Sequence, residues 1–87
     1  MNIKETIKFT YMDVLSQTGA KLMVPELTND VVLLESGLDS LGFAILVATL
    51  EENLGFDPFT MMDEPIYPST FGEFVAIYEK MNPNQKQ

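Results

Sequence analysis

The stretch Gly37-Leu38-Asp39-Ser40-Leu41, followed by a largely apolar run from Phe43 to Leu50, decides how this chain folds. Gly37 permits a tight turn, and Asp39 or Ser40 can cap the free backbone N–H groups of a helix that begins there. The residues after Ser40 favour helix. The stretch therefore predicts a helix that starts in mid-chain, with the Ser40 hydroxyl exposed at its N-terminus.

Two interpretations of Ser40 follow from these residues. A helix N-terminus carries partial positive charge and unpaired N–H donors, so a phosphate esterified to the Ser40 oxygen would be stabilised there. Alternatively, Asp39 and Ser40 are only helix caps, which is the commonest role of such a pair before a helix. The pair alone leaves both interpretations open.

Composition narrows the classes of function. The chain has 87 residues, 46% of them hydrophobic, which suits one small domain. Thirteen acidic residues stand against five lysines, and the net charge of −8 argues against binding to nucleic acids or anionic membranes. Partner proteins with basic docking surfaces are expected, with the chain itself a monomer.

Two residue types are absent from the sequence, and their absence restricts the catalysis and metal binding open to the chain. The sequence contains no cysteine and no histidine, so it has no disulfide, no thiolate nucleophile and neither of two common metal ligands. We expect neither a metal site nor catalytic activity. No apolar run approaches the roughly 18 residues of a membrane span, and Met1 opens a polar stretch unlike a signal peptide. A cytoplasmic protein without membrane insertion is expected.

Hydrophobic spacing predicts helices in the first two thirds of the chain. Apolar residues from Ile3 to about Thr18 follow one helical face, and Gly19 suits the position just past the helix end. A second helix is predicted from Ser40 to Leu54, ended by Gly55. The long loop between them is too apolar to stay in water and is expected to fold back over the helices through Leu22, Met23, Val24, Leu27, Val31, Val32, Leu33 and Leu34.

Two further helices complete the predicted fold. Asp57 can cap a short helix from Pro58 to about Asp63. Thr70 and Glu73 match a capping box, and helical spacing continues to the stop at Asn82-Pro83. Three longer helices and one short one predict an all-α four-helix bundle, with residues 1–82 as the domain and 83–87 as a flexible tail.

The predicted second helix is apolar around much of its circumference. Its core side is expected to hold Phe43, Leu46, Val47, Leu50 and Leu54. A further apolar strip of Leu41, Ile45 and Ala48 becomes acidic only at Glu51 and Glu52. Either the strip packs under the long loop, or it is exposed and marks a partner surface.

Together these features resemble an acyl carrier protein. The resemblance rests on Gly37-Leu38-Asp39-Ser40-Leu41, on Leu46-Val47-x-x-Leu50-Glu51-Glu52, and on the acidic connection into a capped last helix. It covers the chain from about Ile3 to Met81. Its most specific part is the Asp-Ser-Leu triplet at the start of the second helix.

The resemblance implies a covalent cofactor. A phosphopantetheinyl transferase would join 4′-phosphopantetheine from coenzyme A to Ser40, with Asp39 helping the transferase engage the site. The terminal thiol of this arm would carry an acyl group as a thioester, supplied and used by acyl-loading ligases, synthases or acyltransferases. Because the chain lacks a thiol and a base of its own, it needs such an added arm for acyl chemistry.

The resemblance also suggests an acyl-binding pocket. Residues expected to part around a chain, or else to form plain core, are Leu46, Leu50, Leu54, Phe71, Phe74 and Tyr78. Two other classes of protein stay open: a peptidyl or aminoacyl carrier using the same serine and arm, and an acidic helical interaction domain that carries nothing.

The chain departs from the family pattern beside Ser40. Carriers of fatty-acid synthesis usually have acidic residues in the first turns of this helix, where Gly42 and Ile45 stand here. We therefore expect partners to dock on a mixed surface of Leu41, Ile45, Ala48, Glu51 and Glu52. Such a surface suggests a specialised lipid, polyketide or surface-polysaccharide pathway.

Overall fold

The computed structural model describes residues 2–62 and 68–82, and it confirms an all-α bundle. Its α-helices are α1 (Ile3–Gln17), α2 (Ser40–Leu54), α3 (Pro58–Met61) and α4 (Phe71–Met81), with a 3₁₀ turn at Leu33–Glu35. The bounds of α2 and α4 are those predicted, and α1 ends one residue early. Asp63, the predicted end of the third helix, and the predicted tail 83–87 lie outside the described residues.

Side-chain caps explain why the long helices begin where they do. The Asn2 side chain accepts a hydrogen bond from the Glu5 N–H at 2.8 Å at the start of α1. At the start of α4, Thr70 and Glu73 form the predicted capping box, each side chain accepting from the other's backbone N–H. Local sequence therefore sets both helix starts.

The three longer helices bury a common core. Helix α1 packs against both α2 and α4, and α3 packs against α4. The buried apolar side chains come from these helices and the segments between them: Ile7, Tyr11, Val14, Leu15, Leu27, Leu33, Leu38, Leu46, Leu50, Phe56, Phe71, Phe74, Val75 and Tyr78. Because both α2 and α4 rest on α1, the position of α2 depends on the whole bundle.

The α1–α2 loop (residues 18–39) is pinned to the start of α4 by its backbone. Val32 and Thr70 form an isolated antiparallel bridge. Three backbone hydrogen bonds flank it, donated by Leu33 to Ser69 at 2.9 Å, by Phe71 to Val31 at 2.8 Å and by Gly72 to Asn29 at 2.8 Å. This pairing satisfies N–H groups at the start of α4 and holds the loop in one conformation.

The pairing also decides which loop side chains are buried. Leu27 and Leu33 enter the core, but Met23 is 72% exposed and Leu34 is 59% exposed, and Val32 is exposed as well. The expectation that all the apolar loop residues fold back over the helices was therefore wrong for these three. With the backbone held against α4, consecutive side chains point in different directions and cannot all reach the core.

Gly37 stands where the loop passes very close to itself. Its φ is +113°, and a Cβ at this position would collide with the carbonyl oxygen of Lys21. The Met23 N–H donates to the Ser36 carbonyl at 2.8 Å beside this contact. Only glycine fits both the backbone angle and the space.

Gly37→Ala is expected to lower the free energy of unfolding by more than about 2 kcal/mol, because backbone strain adds to a clash with a carbonyl group. Gly19→Ala is the matched control: Gly19 has φ +75°, but an added methyl group would meet nothing within 4 Å, so about 1 kcal/mol of strain is expected. Urea titrations of both variants check this. Equal losses would contradict the close approach at Gly37.

Candidate functional site

Ser40 is the first residue of α2, and its side chain is exposed. The cap of the helix is Asp39, whose Oδ1 accepts a hydrogen bond from the Gly42 N–H at 2.7 Å. The Ser40 hydroxyl makes no hydrogen bond to any residue in the described ranges. Of the two residues able to cap, the structure uses Asp39 and leaves the Ser40 hydroxyl without a partner among the described residues.

The surroundings of Ser40 suit a phosphodiester. The first N–H groups of a helix have no partner within the helix, and the helix dipole adds positive character. No acidic residue follows Ser40 in the first turn of α2. An exposed hydroxyl at such a helix end is accessible for attachment of a phosphate-linked group.

The other serines are placed differently. Ser36 is fully buried, and its hydroxyl donates to the Leu33 carbonyl at 2.6 Å and accepts from the Tyr11 hydroxyl. Ser16 is exposed but lies in the last turn of α1, and Ser69 precedes α4. Ser40 is the exposed serine that occupies the first position of an α-helix, whereas Ser69, also exposed, lies outside α4, just before its Thr70 cap.

Beside Ser40 lies a mixed apolar and acidic surface. Leu41 is 68% exposed, Ala48 is exposed and Ile45 is half-buried. Glu51 and Glu52 are exposed in the last turns of α2. The predicted strip is therefore only partly a surface feature, because Ile45 packs against the core while Leu41 and Ala48 face outward.

A cleft of about 430 Å³ opens along α2 towards α3. Its described lining residues are Phe43, Ala44, Val47, Ala48, Glu51, Asp57 and Phe59. A smaller cavity of about 130 Å³ lies between the 3₁₀ turn and α2 and is lined by Leu33, Leu34, Phe43 and Pro68. Phe43, one helical turn after Ser40, borders both openings.

The six residues predicted for an acyl pocket line neither opening. Five of them, Leu46, Leu50, Phe71, Phe74 and Tyr78, are fully buried, and Leu54 is partly buried. They do not share one place: the Phe71 ring packs on Tyr11 at 6.4 Å, whereas Phe74 and Tyr78 lie behind the cleft, 6.1 and 6.0 Å from the ring of Phe59. Sequence reasoning missed Phe43 and Phe59 as cleft residues.

The Tyr78 hydroxyl differs from the other buried polar groups. It is buried and makes no hydrogen bond within the part of the chain that the structure describes. Burial raises the pKa of Tyr78 well above its usual range, and the nearby carboxylates of Asp57 and Glu51 raise it further. An unpaired hydroxyl in a core costs about 1–3 kcal/mol.

Comparison with known proteins identifies the class of protein. Residues 14–63, more than half of the chain, match the family model described as "Phosphopantetheine attachment site". The chain therefore belongs to the phosphopantetheine-binding family of carrier proteins. Comparisons with curated proteins and with solved structures found no significant match.

Membership of this family confirms the expected cofactor, covalently attached 4′-phosphopantetheine. The matched range contains all of α2 and the exposed Ser40. No helix among residues 2–62 and 68–82 has both the length and the hydropathy to cross a bilayer.

Tyr78→Phe and Tyr11→Phe each remove one buried hydroxyl and should affect stability differently. Tyr11 donates to Ser36, so Tyr11→Phe is expected to lower the free energy of unfolding by about 1 kcal/mol. Tyr78→Phe removes an unpaired group and should leave stability unchanged or raise it by about 1 kcal/mol. Urea denaturation followed by circular dichroism measures both. A loss in Tyr78→Phe as large as that in Tyr11→Phe would show that the Tyr78 hydroxyl is paired in solution.

Proposed function

We propose that this chain is an acyl carrier protein that holds acyl intermediates as thioesters on a phosphopantetheine arm attached to Ser40. The observation that supports Ser40 most is its exposed hydroxyl, unpaired among the described residues, at the N-terminus of α2 and inside the range that matches the attachment-site family. Ser36, four residues earlier, is buried and hydrogen-bonded.

In the loading step, the Ser40 oxygen attacks the phosphorus that bears the pantetheine group of coenzyme A. A new P–O bond forms to Ser40 as the diphosphate P–O bond breaks, and adenosine 3′,5′-bisphosphate leaves. The chain has no histidine to accept the Ser40 proton, and in this proposal the proton passes to a base of the transferase. The N–H groups at the start of α2 stabilise the resulting phosphodiester anion.

Asp39 serves both the helix and the transferase in this proposal. Its Oδ1 caps α2 through Gly42, and its exposed position leaves Oδ2 available to the transferase or the metal ion of that enzyme. Once attached, the arm supplies the thiol that the chain lacks.

Charge and surface support our proposal for the carried group and the partners. A net charge of −8 favours an acyl over a peptidyl or aminoacyl carrier. The docking surface comprises Leu41, Ile45, Ala48, Glu51 and Glu52, and exposed Leu34 adds apolar area near Phe43. Acyl-loading ligases, synthases or acyltransferases of a specialised cytoplasmic lipid, polyketide or surface-polysaccharide pathway are the partners that we propose.

Incubation with coenzyme A and a broad-specificity phosphopantetheinyl transferase should add the mass of one arm to the wild-type chain. Ser40→Ala should abolish the gain, because it removes the attacking oxygen. Ser16→Ala, which removes the other exposed serine of the matched range, should leave the gain intact. Intact-protein mass spectrometry measures all three, and a full gain in Ser40→Ala would place the arm elsewhere.

The same assay separates the two roles of Asp39. Asparagine caps helices about as well as aspartate, so Asp39→Asn should keep the stability of the fold while slowing arm attachment about tenfold or more, the loss expected for a charge-assisted contact. Unchanged attachment in Asp39→Asn would limit Asp39 to capping.

The absence of acidic residues in the first turns of α2 should make the holo-protein a poor substitute for the carrier of fatty-acid synthesis. A Cβ at Gly42 would lie 2.8 Å from the Leu38 side chain, so Leu38 would have to shift. The test therefore uses Ile45→Glu, with its fold checked by circular dichroism because Ile45 is half-buried. This variant should increase turnover in reconstituted fatty-acid synthesis several-fold, because it introduces an acidic docking contact of the kind that carriers of fatty-acid synthesis have there.

Ala76→Glu adds the same charge on an exposed position of α4 and is the control. It should not increase turnover. Efficient fatty-acid synthesis with the wild-type holo-protein would contradict a specialised role.

A further inference from the structure

The core contains two fully buried tyrosines that differ in one respect. Tyr11 and Tyr78 are both 0% exposed. The Tyr11 hydroxyl donates to Ser36, whereas the Tyr78 hydroxyl has no partner among the described residues. Buried polar groups are nearly always paired in native proteins, so an unpaired one calls for a specific explanation.

The position of Tyr78 supplies that explanation. Its ring lies 6.0 Å from the ring of Phe59 and 5.0 Å from that of Phe74, measured between centroids. Phe59 lines the cleft along α2. The two carboxylates that act on the Tyr78 hydroxyl, Asp57 and Glu51, line the same cleft. The Tyr78 ring therefore packs directly behind Phe59, a wall residue of the cleft.

Phe59 separates Tyr78 from the cleft. It is only half-buried and belongs to α3, a helix of four residues. Because the Phe59 ring packs on the Tyr78 ring, a chain that displaced Phe59 from the cleft side would meet Tyr78 next. The cleft is an open groove of about 430 Å³, a volume within the range of roughly 300–1,000 Å³ typical of small-molecule sites.

The groups around Tyr78 favour one kind of hydrogen-bond acceptor for its hydroxyl. The phenol O–H of Tyr78 can donate a hydrogen bond to an acceptor oxygen. The carboxylates of Glu51 and Asp57 line the cleft and would repel a negatively charged acceptor. The surrounding rings of Phe43, Phe59 and Phe74 exclude water from an apolar chain. A neutral carbonyl oxygen on an otherwise apolar chain satisfies both requirements.

We propose that Tyr78 donates a hydrogen bond to a carbonyl oxygen along the acyl chain, which enters past Phe59, and that the protein thereby shelters oxo-acyl chains better than saturated ones. This inference rests on the proposed acyl-carrier function. It makes Tyr78 a specificity-determining residue for the cargo, while Ser40 remains the attachment point.

The test compares saturated and oxo-acyl cargo on wild-type protein and Tyr78→Phe. A transferase loads octanoyl, 3-oxooctanoyl or 5-oxooctanoyl arms from the corresponding coenzyme A thioesters. Exchange of each thioester with dithiothreitol is followed by mass spectrometry and normalised to the same acyl group on free pantetheine. Tyr78→Phe should reduce the protection of at least one oxo-acyl group about five- to tenfold, the effect of one hydrogen bond. Octanoyl protection should stay equal or increase.

Two further measurements separate this role from a general loosening of the core. Tyr11→Phe also removes a buried hydroxyl, but the Tyr11 ring packs on Phe71 and not on Phe59. The ratio of oxo-acyl protection to octanoyl protection should therefore stay the same in Tyr11→Phe. In wild-type protein loaded with ¹³C-labelled 3-oxo and 5-oxo chains, a hydrogen-bonded ketone should show a downfield shift that Tyr78→Phe removes.

The outcomes distinguish the two proposals. The role of Tyr78 is overturned if wild-type protein and Tyr78→Phe protect all acyl chains equally. It is also overturned if Tyr11→Phe lowers the ratio of oxo-acyl to octanoyl protection as much as Tyr78→Phe does. Either result leaves arm attachment to Ser40 standing. Failure of the wild-type chain to accept any arm overturns both.

Discussion

Burial of Ser36 against Tyr11 anchors the segment on which the functional end of the molecule depends. The Ser36 hydroxyl is enclosed between the Tyr11 hydroxyl and the Leu33 carbonyl, so the chain just before α2 is tied to α1 and to the 3₁₀ turn. Gly37 passes against Lys21 immediately afterwards, and Asp39 then caps α2. This series of contacts holds Ser40 at a defined point of the surface, although the Ser40 hydroxyl bonds to none of the described residues.

The same bundle separates the proposed attachment site from the cleft that we propose to shelter cargo. Ser40 stands at the exposed N-terminus of α2, while the cleft runs along the side of that helix towards α3. Phe43 borders both the cleft and the smaller cavity beneath the 3₁₀ turn. Both openings therefore lie about one helical turn from Ser40, the residue that we propose as the attachment point.

Much of the fold could be predicted because its signals are local. Helical spacing, the Thr70–Glu73 capping box and the glycines after α1 and α2 each act within a few residues. The prediction of an exposed Ser40 was equally local. What could not be predicted was the pairing of residues 29–33 with the start of α4, because no short-range pattern signals contact between segments about 40 residues apart. The exposure of Met23 and Leu34 follows from that pairing.

The sequence by itself determined the helices and the exposed Ser40 hydroxyl at the N-terminus of α2. Helix propensity, capping and hydrophobic spacing depend on residues that are close together in the chain. The tertiary structure decided which aromatic rings border the cleft and which are plain core. It placed Phe43 and Phe59 at the opening, sent Phe71 to the side of Tyr11, and left the Tyr78 hydroxyl behind Phe59 with no partner among the described residues. Those assignments depend on how α1, α3 and α4 pack together, and packing between distant segments has no signature within any one of them.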